Sequence, residues 1–405
     1  MQGSWRTSAR DNNHHQLIAS ISNRLERISP EAVDCCIFTV PDKLRRTHKE
    51  AFLPRQVSIG PFHHGKHRKA MEEHKWRYLQ NFLKRTEKKL EECVEAIKEW
   101  EGQTRQCYAE NIDLSHNDFI TMVLVDGAFI IELFLLNRFP ERRAENDIIF
   151  NKQKQWMITD VRRDLSLMEN QLPFFVIKNL FKFAFGTRLE ELPSLLELAH
   201  DFFGFRANPE AKPEMIFQSN VKHLLDALRF WYLPSLEKAP SDDRKKIEAI
   251  PRASQLQAAG VKFRMSNSNC LFDIKFSKGV LEIPSFKLIP STESFLRNIT
   301  AFERSYHRDD SYFIDYVAFL GNLIDTRDDA KLLIRKKIID IENWLGNDEA
   351  LINLFNSFGR ESGFGTRNIS FFRIRQELKA YYRTFWHKLK VTMKRDSTSK
   401  KKPPG

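Results

Sequence analysis

Apolar residues recur at helical spacing along most of this chain. Leu17, Ile18, Ile21, Leu25 and Ile28 predict a short amphipathic helix within an N-terminal extension, residues 1–34, stopped near Ser29-Pro30. Cys36–Val40 and Gln56–Ile59 read as short strands near 37–59, with a helical turn at Asp42–Phe52 between them. After Gly65 the period changes. Met71, Leu79, Phe82, Leu90, Val94 and Ile97 predict one long helix from about Arg68 to Glu101, ended by Gly102, its other face solvated by Lys, Arg and Glu at i,i+4 spacing.

Ser115 and Asp118 form a capping pattern before Phe119–Leu136, the most apolar segment. Its length would allow a membrane span, but it carries Asp126 and Glu132. A central acid costs roughly 2.5–3.5 kcal/mol on insertion, so a buried core helix is the reading. Six residues separate the two acids, which sets them about 120° apart around the helix, off any shared face. Each is expected to meet a basic or backbone partner.

Further on, Asn151–Asp164 is helical. Glu169-Asn170-Gln171 is a polar triplet between apolar runs, and Pro173 suits the first turn of a following helix. Helices are predicted at Leu189–Phe205 and Val221–Tyr232. Ser235–Pro251 is a polar break and a candidate subdomain boundary. Period-two alternation at Val261–Arg264, Leu271–Phe276 and Val280–Ile283, with a turn at Ser277-Lys278-Gly279, predicts a small antiparallel β meander near 261–289. Helices follow at Thr292–Glu303, Tyr312–Ile324, Asp328–Leu345, Glu349–Phe358 and Ser370–Met393. The fold class is therefore mainly α, a multi-helix globular domain at 35–389, followed by a disordered basic tail at 390–405.

Composition narrows the function classes. The chain has 405 residues, 41% hydrophobic, with 33 Phe, enough for a large core. Its five cysteines form no C-x-x-C pair, and the N-terminus lacks an apolar signal region, so a reducing, cytoplasmic setting is expected. Asn298-Ile299-Thr300 and Asn368-Ile369-Ser370 are then chance glycosylation triplets. The net charge is +12, and half of that excess lies between Lys388 and Gly405. The body is only mildly basic and does not imply nucleic-acid binding. The tail residues Lys394, Arg395, Lys400, Lys401 and Lys402 suit an anionic membrane surface or a nuclear import receptor, against solvated charge as the plain alternative.

Two near-motifs remain. Gly60-Pro61-Phe62-His63-His64-Gly65-Lys66 has the G-x-x-x-x-G-K spacing of a phosphate-binding loop. His67 replaces the hydroxyl that would hold magnesium, Pro61 removes an N–H, and Phe62, His63 and His64 crowd the cradle. The clustered histidines match no metal-ligand spacing, and no cofactor is implied. A polar site built from His63, His64, Glu132, Glu169, Asn170 and Gln171 is the functional alternative to a buried structural junction.

Several stretches carry a family likeness. Phe52–Gly65, Met71-Glu72 with His74–Tyr78, Asp126–Phe134, Glu169–Phe175, Ala259–Phe263 and Asn298–Glu303, in that order, resemble the plant family known as domain of unknown function 247 (uncharacterised protein family 0481). The resemblance runs from about Ile37 to Leu389. It implies a mainly helical plant protein with no assigned enzymatic activity. Members connected with grass self-incompatibility and reproductive development imply recognition or signalling with a protein partner yet to be identified. Members usually end in a transmembrane helix, whereas here no apolar span of 18 residues follows Trp386. The leading reading is a non-enzymatic interaction protein. The alternatives are an enzyme with a polar site near His64, Glu132 and Glu169, and a phosphate-ligand binder at 60–66.

Overall fold

A computed structural model describes residues 17–18, 21–22, 35–65, 69–204, 220–233, 249–307, 310–341, 347–362 and 371–399. Of the N-terminal helix predicted at 17–28, Leu17, Ile18, Ile21 and Ser22 are described; they are helical and exposed. The polar break at 235–251 lies almost wholly outside the described residues, as does the tail beyond Ser399.

The fold is mainly helical. In chain order the helices are α1 Asp42–Thr47, α2 Lys49–Phe52, α3 Lys69–Thr86, α4 Leu90–Gln106, α5 His116–Arg138, α6 Gln155–Asp164, α7 Phe174–Phe185, α8 Leu195–Phe203 and α9 Leu224–Tyr232. After α10 Ala253–Ala258 come β1 Lys262–Ser266, β2 Lys275–Ser277, β3 Val280–Pro284 and β4 Phe286–Lys287. Then follow α11 Thr292–Ser305, α12 Tyr312–Leu323, α13 Arg327–Arg335, β5 Ile339–Asp340, α14 Asp348–Ser362 and α15 Phe372–Ser399.

α5 is the axis of the first core. It is apolar on every side because α3, α4, α7 and α8 pack around it. Ser115 caps it, accepting from the Asp118 N–H at 3.2 Å. It is long and apolar enough to cross a membrane, yet 94% of its most apolar window is buried inside the protein. A second apolar cluster forms around α11, α12 and α14. Val40, Leu44, Phe52 and Met168, from the first half of the chain, belong to that second cluster. Asn298 is fully buried and bonds Ala51 and Met168, which leaves no room for a glycan.

Several expectations need correction. The single helix predicted from Arg68 to Glu101 is two helices, broken where Glu87 takes φ +57°. Neither glycine nor proline marks the break, and it lets both α3 and α4 lie against α5. Gly102 sits inside α4 rather than ending it. The short strands near 37–59 reduce to one bridge, Ile37 to Tyr108, plus an unpaired extended stretch at Val57–Ile59. The meander is not wholly antiparallel. β3 is central, antiparallel to β2 through the Lys278-Gly279 turn but parallel to β1. The alternation at Leu271–Ile274 reflects a loop whose apolar side chains are buried, with Phe272 against Phe313 and Tyr316. The helix predicted at Asp328–Leu345 stops at Arg335, and Ile339-Asp340 pairs in parallel with Phe286-Lys287. The last helix continues to Ser399, where a disordered tail from 390 was expected.

α9 begins at His223, whose Nδ1 accepts the Asp226 N–H at 3.2 Å while Nε2 donates to Cys36 O at 3.2 Å. The Nδ1 bond requires neutral imidazole, because a protonated Nδ1 could not accept, and burial pushes its pKa down to about 4. A base depressed on folding contributes stability above its unfolded pKa, and that contribution is lost as pH falls from about 6.5 towards 4. We expect roughly 3 kcal/mol of destabilisation across that window. Urea unfolding at stepped pH measures it. His223→Asn keeps a capping acceptor and should flatten the slope; an unchanged slope would assign the effect to other groups.

Candidate functional site

The segment Leu53–Gly60 belongs to neither helix nor strand and is buried at Pro54 and from Gln56 to Gly60, so its backbone needs partners from side chains. Pro54 lacks a donor. The next three N–H groups converge on one carboxylate at the end of α6: Asp164 accepts from Arg55 at 2.9 Å, Gln56 at 2.6 Å and Val57 at 3.0 Å. Arg163 pairs with Asp164 at 3.0 Å and also donates to Leu53 O at 2.9 Å. Burial pushes Asp164 up to about 6, opposed by those N–H groups and Arg163, so it is the carboxylate at pH 7.

Asn170 continues the pattern. Its Oδ1 accepts the Ile59 N–H at 2.8 Å, and its Nδ2 donates to Val57 O at 3.0 Å and Asp164 O at 2.9 Å. The side-chain amide thus does what a neighbouring strand would do. Gly60 donates to Asp126 of α5 at 2.8 Å. Lys75 of α3 bonds the other Asp126 oxygen at 2.6 Å and Ser58 O at 2.9 Å. Burial raises Asp126 and would lower Lys75, but Asp126 and Glu72 outweigh it, and Lys75 stays charged with its pKa raised. Gly60 has φ +72°, and a Cβ there would sit 2.4 Å from Gln171 O. Only glycine fits.

The Glu169-Asn170-Gln171 triplet divides its work. Glu169 accepts the Val40 N–H at 2.6 Å, pairs with Arg45, and faces His63 Nε2 at 3.5 Å. Burial alone would raise Glu169, but His63, the Val40 N–H and Arg45 outweigh it and hold it below the usual glutamate range. Gln171 Nε2 closes the turn after α6 by donating to Leu165 O at 2.8 Å and Leu167 O at 2.7 Å.

Of the residues proposed from the sequence, His63, Glu169, Asn170 and Gln171 meet. Glu132 does not join them. It lies about 9 Å further along α5 than Asp126 and pairs with Arg85 at 2.8 and 3.1 Å. Burial raises Glu132, against that guanidinium. His64 is half-buried, its N–H closing a turn on Pro61 O at 3.2 Å. Lys394 and Arg395 fall on α15, and Lys400, Lys401 and Lys402 lie outside the described residues, as does Lys66. The residues that sequence reasoning passed over are Asp126 as a member of this cluster, Asp164, Arg163 and Lys75. Lys75 had a signal: it falls inside the apolar stripe Met71, Tyr78, Leu79, Phe82, where a lysine needs a buried partner.

The cluster is shut off from solvent. Lys75, Asp126, Asp164, Glu169, Asn170 and Gln171 are all 2% exposed or less. Among the described residues, no group of three His, Cys, Asp or Glu side chains is arranged to hold a metal. The Gly60 N–H, which a phosphate cradle would offer to its ligand, already serves the Asp126 carboxylate.

The chain is 30% identical over 386 residues to UPF0481 protein At3g47200 of Arabidopsis thaliana, covering 87% of this chain and 79% of the relative. It is 22% identical over 478 aligned residues to Putative UPF0481 protein At3g02645 of the same plant, covering 92% and 86%. No solved structure matches it. The profile of the DUF247 family, described as plant protein of unknown function, matches residues 37–402, and this chain belongs to that family.

Proposed function

We propose that this is a non-enzymatic interaction protein of the recognition or signalling kind, in which the polar signature residues hold the scaffold together. The observation that carries the reading is the fate of the Asp164 carboxylate, which binds three successive backbone N–H groups. A general acid or base must reach a substrate proton. Asp164, Asn170 and Gln171 are instead bonded to the chain itself, and Glu132 pairs elsewhere. Large aromatic side chains left at the surface support a contact role: Trp76 on α3 is 52% exposed and Trp156 on α6 is 50% exposed. Tryptophan is enriched among residues that dominate protein–protein affinity.

The test is affinity capture of the tagged full chain from plant tissue at native expression, with crosslinking. A recurrent protein partner, lost when Trp76 and Trp156 are replaced by Ala in a chain of unchanged thermal stability, is the expected result. Failure to recover any specific partner would count against an interaction role.

A further inference from the structure

Three cysteines outside the polar cluster meet where the described chain enters the first core. The Ile37–Tyr108 bridge is parallel. Cys36 and Ile37 N–H both donate to Cys107 O, at 3.0 and 2.9 Å, and Ala109 N–H returns to Ile37 O at 2.9 Å. This register sets Cys36 opposite Cys107, and their thiols are in hydrogen-bond contact. Paired backbones run about 4.8 Å apart, inside the roughly 4.4–6.8 Å that a disulfide spans between Cα atoms. Cys36 and Cys107 are buried, whereas Cys35 is partly exposed and lies close enough to Cys107 for the two to interact. Cys270 is in the other core, and Cys93 is buried within α4.

We propose that Cys36 and Cys107 form a redox pair, closed into a disulfide by a small disulfide of the glutathione class, with Cys35 as the entry thiol. The Cys35 thiolate attacks one sulfur of oxidised glutathione, whose S–S bond breaks and releases one glutathione thiolate. Cys107 then displaces the second glutathione, and Cys36 displaces Cys35, leaving the Cys36–Cys107 bond and a free Cys35 thiol. Two protein thiols give up two electrons and two protons, and one glutathione disulfide becomes two thiols. Burial raises the Cys35 thiol, and the Cys107 hydrogen bond followed by burial raises that of Cys36, so exchange is slow at neutral pH and quickens in alkali. The bond would fasten the stretch leading to Val40, whose N–H meets Glu169, onto the end of α4. It closes a loop of some 70 residues, which favours the folded chain by restricting the unfolded one.

The full chain, without denaturant, is equilibrated at pH 8 in glutathione buffers of graded oxidised-to-reduced ratio, quenched with acid, alkylated and peptide-mapped by mass spectrometry. The expected result is a linked Cys36–Cys107 peptide pair that grows with the oxidised fraction and disappears on reduction, while Cys93 and Cys270 stay alkylated. Cys35→Ser should slow its appearance about tenfold and leave its final amount unchanged. Five alkylated cysteines at every ratio, or a linkage between other residues, would overturn the pair. An unchanged rate in Cys35→Ser would overturn the entry role.

Discussion

Replacing Asp164 by Ala should leave little folded protein. The substitution strands the buried N–H groups of Gln56 and Val57, each costing about 1–3 kcal/mol when unpaired, together with the part-buried one of Arg55, and leaves Arg163 beside an empty carboxylate position. Even allowing for non-additivity the loss is on the order of 5 kcal/mol, comparable with the whole stability of many domains. Asp164→Asn keeps one acceptor oxygen and should be recoverable but weakened. Soluble yield and urea unfolding measure both. If Asp164→Ala unfolds within about 1 kcal/mol of wild type, the segment 53–60 does not depend on that carboxylate.

The second large effect is expected at Arg229. This buried guanidinium on α9 bonds Glu303 of α11 at 2.9 Å and meets Asp310 through both its backbone carbonyl and its carboxylate. Glu303 also accepts the Ile314 N–H at 3.0 Å. Arg229→Met leaves a buried carboxyl without its cation, a loss of about 3–5 kcal/mol. Burial already pushes Glu303 up to about 7, and removing Arg229 raises it further. An acid raised on folding binds more protons folded than unfolded, so the variant loses stability as pH rises through neutrality. Arg229→Met should therefore be more damaging at pH 8 than at pH 5.5, in urea unfolding followed at both. Adding Glu303→Gln removes the charge, keeps an acceptor for Ile314, and should recover more than half of the loss at pH 8. No recovery would mean that Arg229 acts through packing or Asp310 alone.

The helical class and the main helices were legible because period and caps agree. Ser115 and Asp118 announce α5, and its all-round apolarity marks it as buried. The two acids of α5 were also read correctly as separate, each with its own partner. What could not be read was pairing at a distance. Alternation along Lys262–Ile283 says which side chains are buried, not that β1 runs parallel to β3, nor that Phe272 is buried from a loop. The turn at Glu87 carries no glycine or proline because tertiary packing, not local preference, imposes its positive φ. The polar triplet was legible as a junction. Of its true company, Asp164 lies just ahead of it on the end of α6, but Asp126 and Lys75 lie tens of residues away in sequence. Glu132 was grouped with it on chemistry alone, and Arg85 holds it apart.

A shared function for the triplet and the glycine corner follows from this geometry. The corner at Gly60, with its false phosphate-loop spacing, is where an irregular buried segment is fastened to three helices at once.

Hydrogen exchange of the peptide 53–60, followed by mass spectrometry, tests this directly. If Asp164, Asn170 and Asp126 clamp the segment, the amides of Gln56, Val57, Ile59 and Gly60 should exchange as slowly as those of α5, although they lie in no helix or sheet. In Asp164→Asn that protection should fall at least tenfold while α5 keeps its own. Exchange of the wild-type segment within seconds, at the rate of an exposed loop, would contradict the clamp.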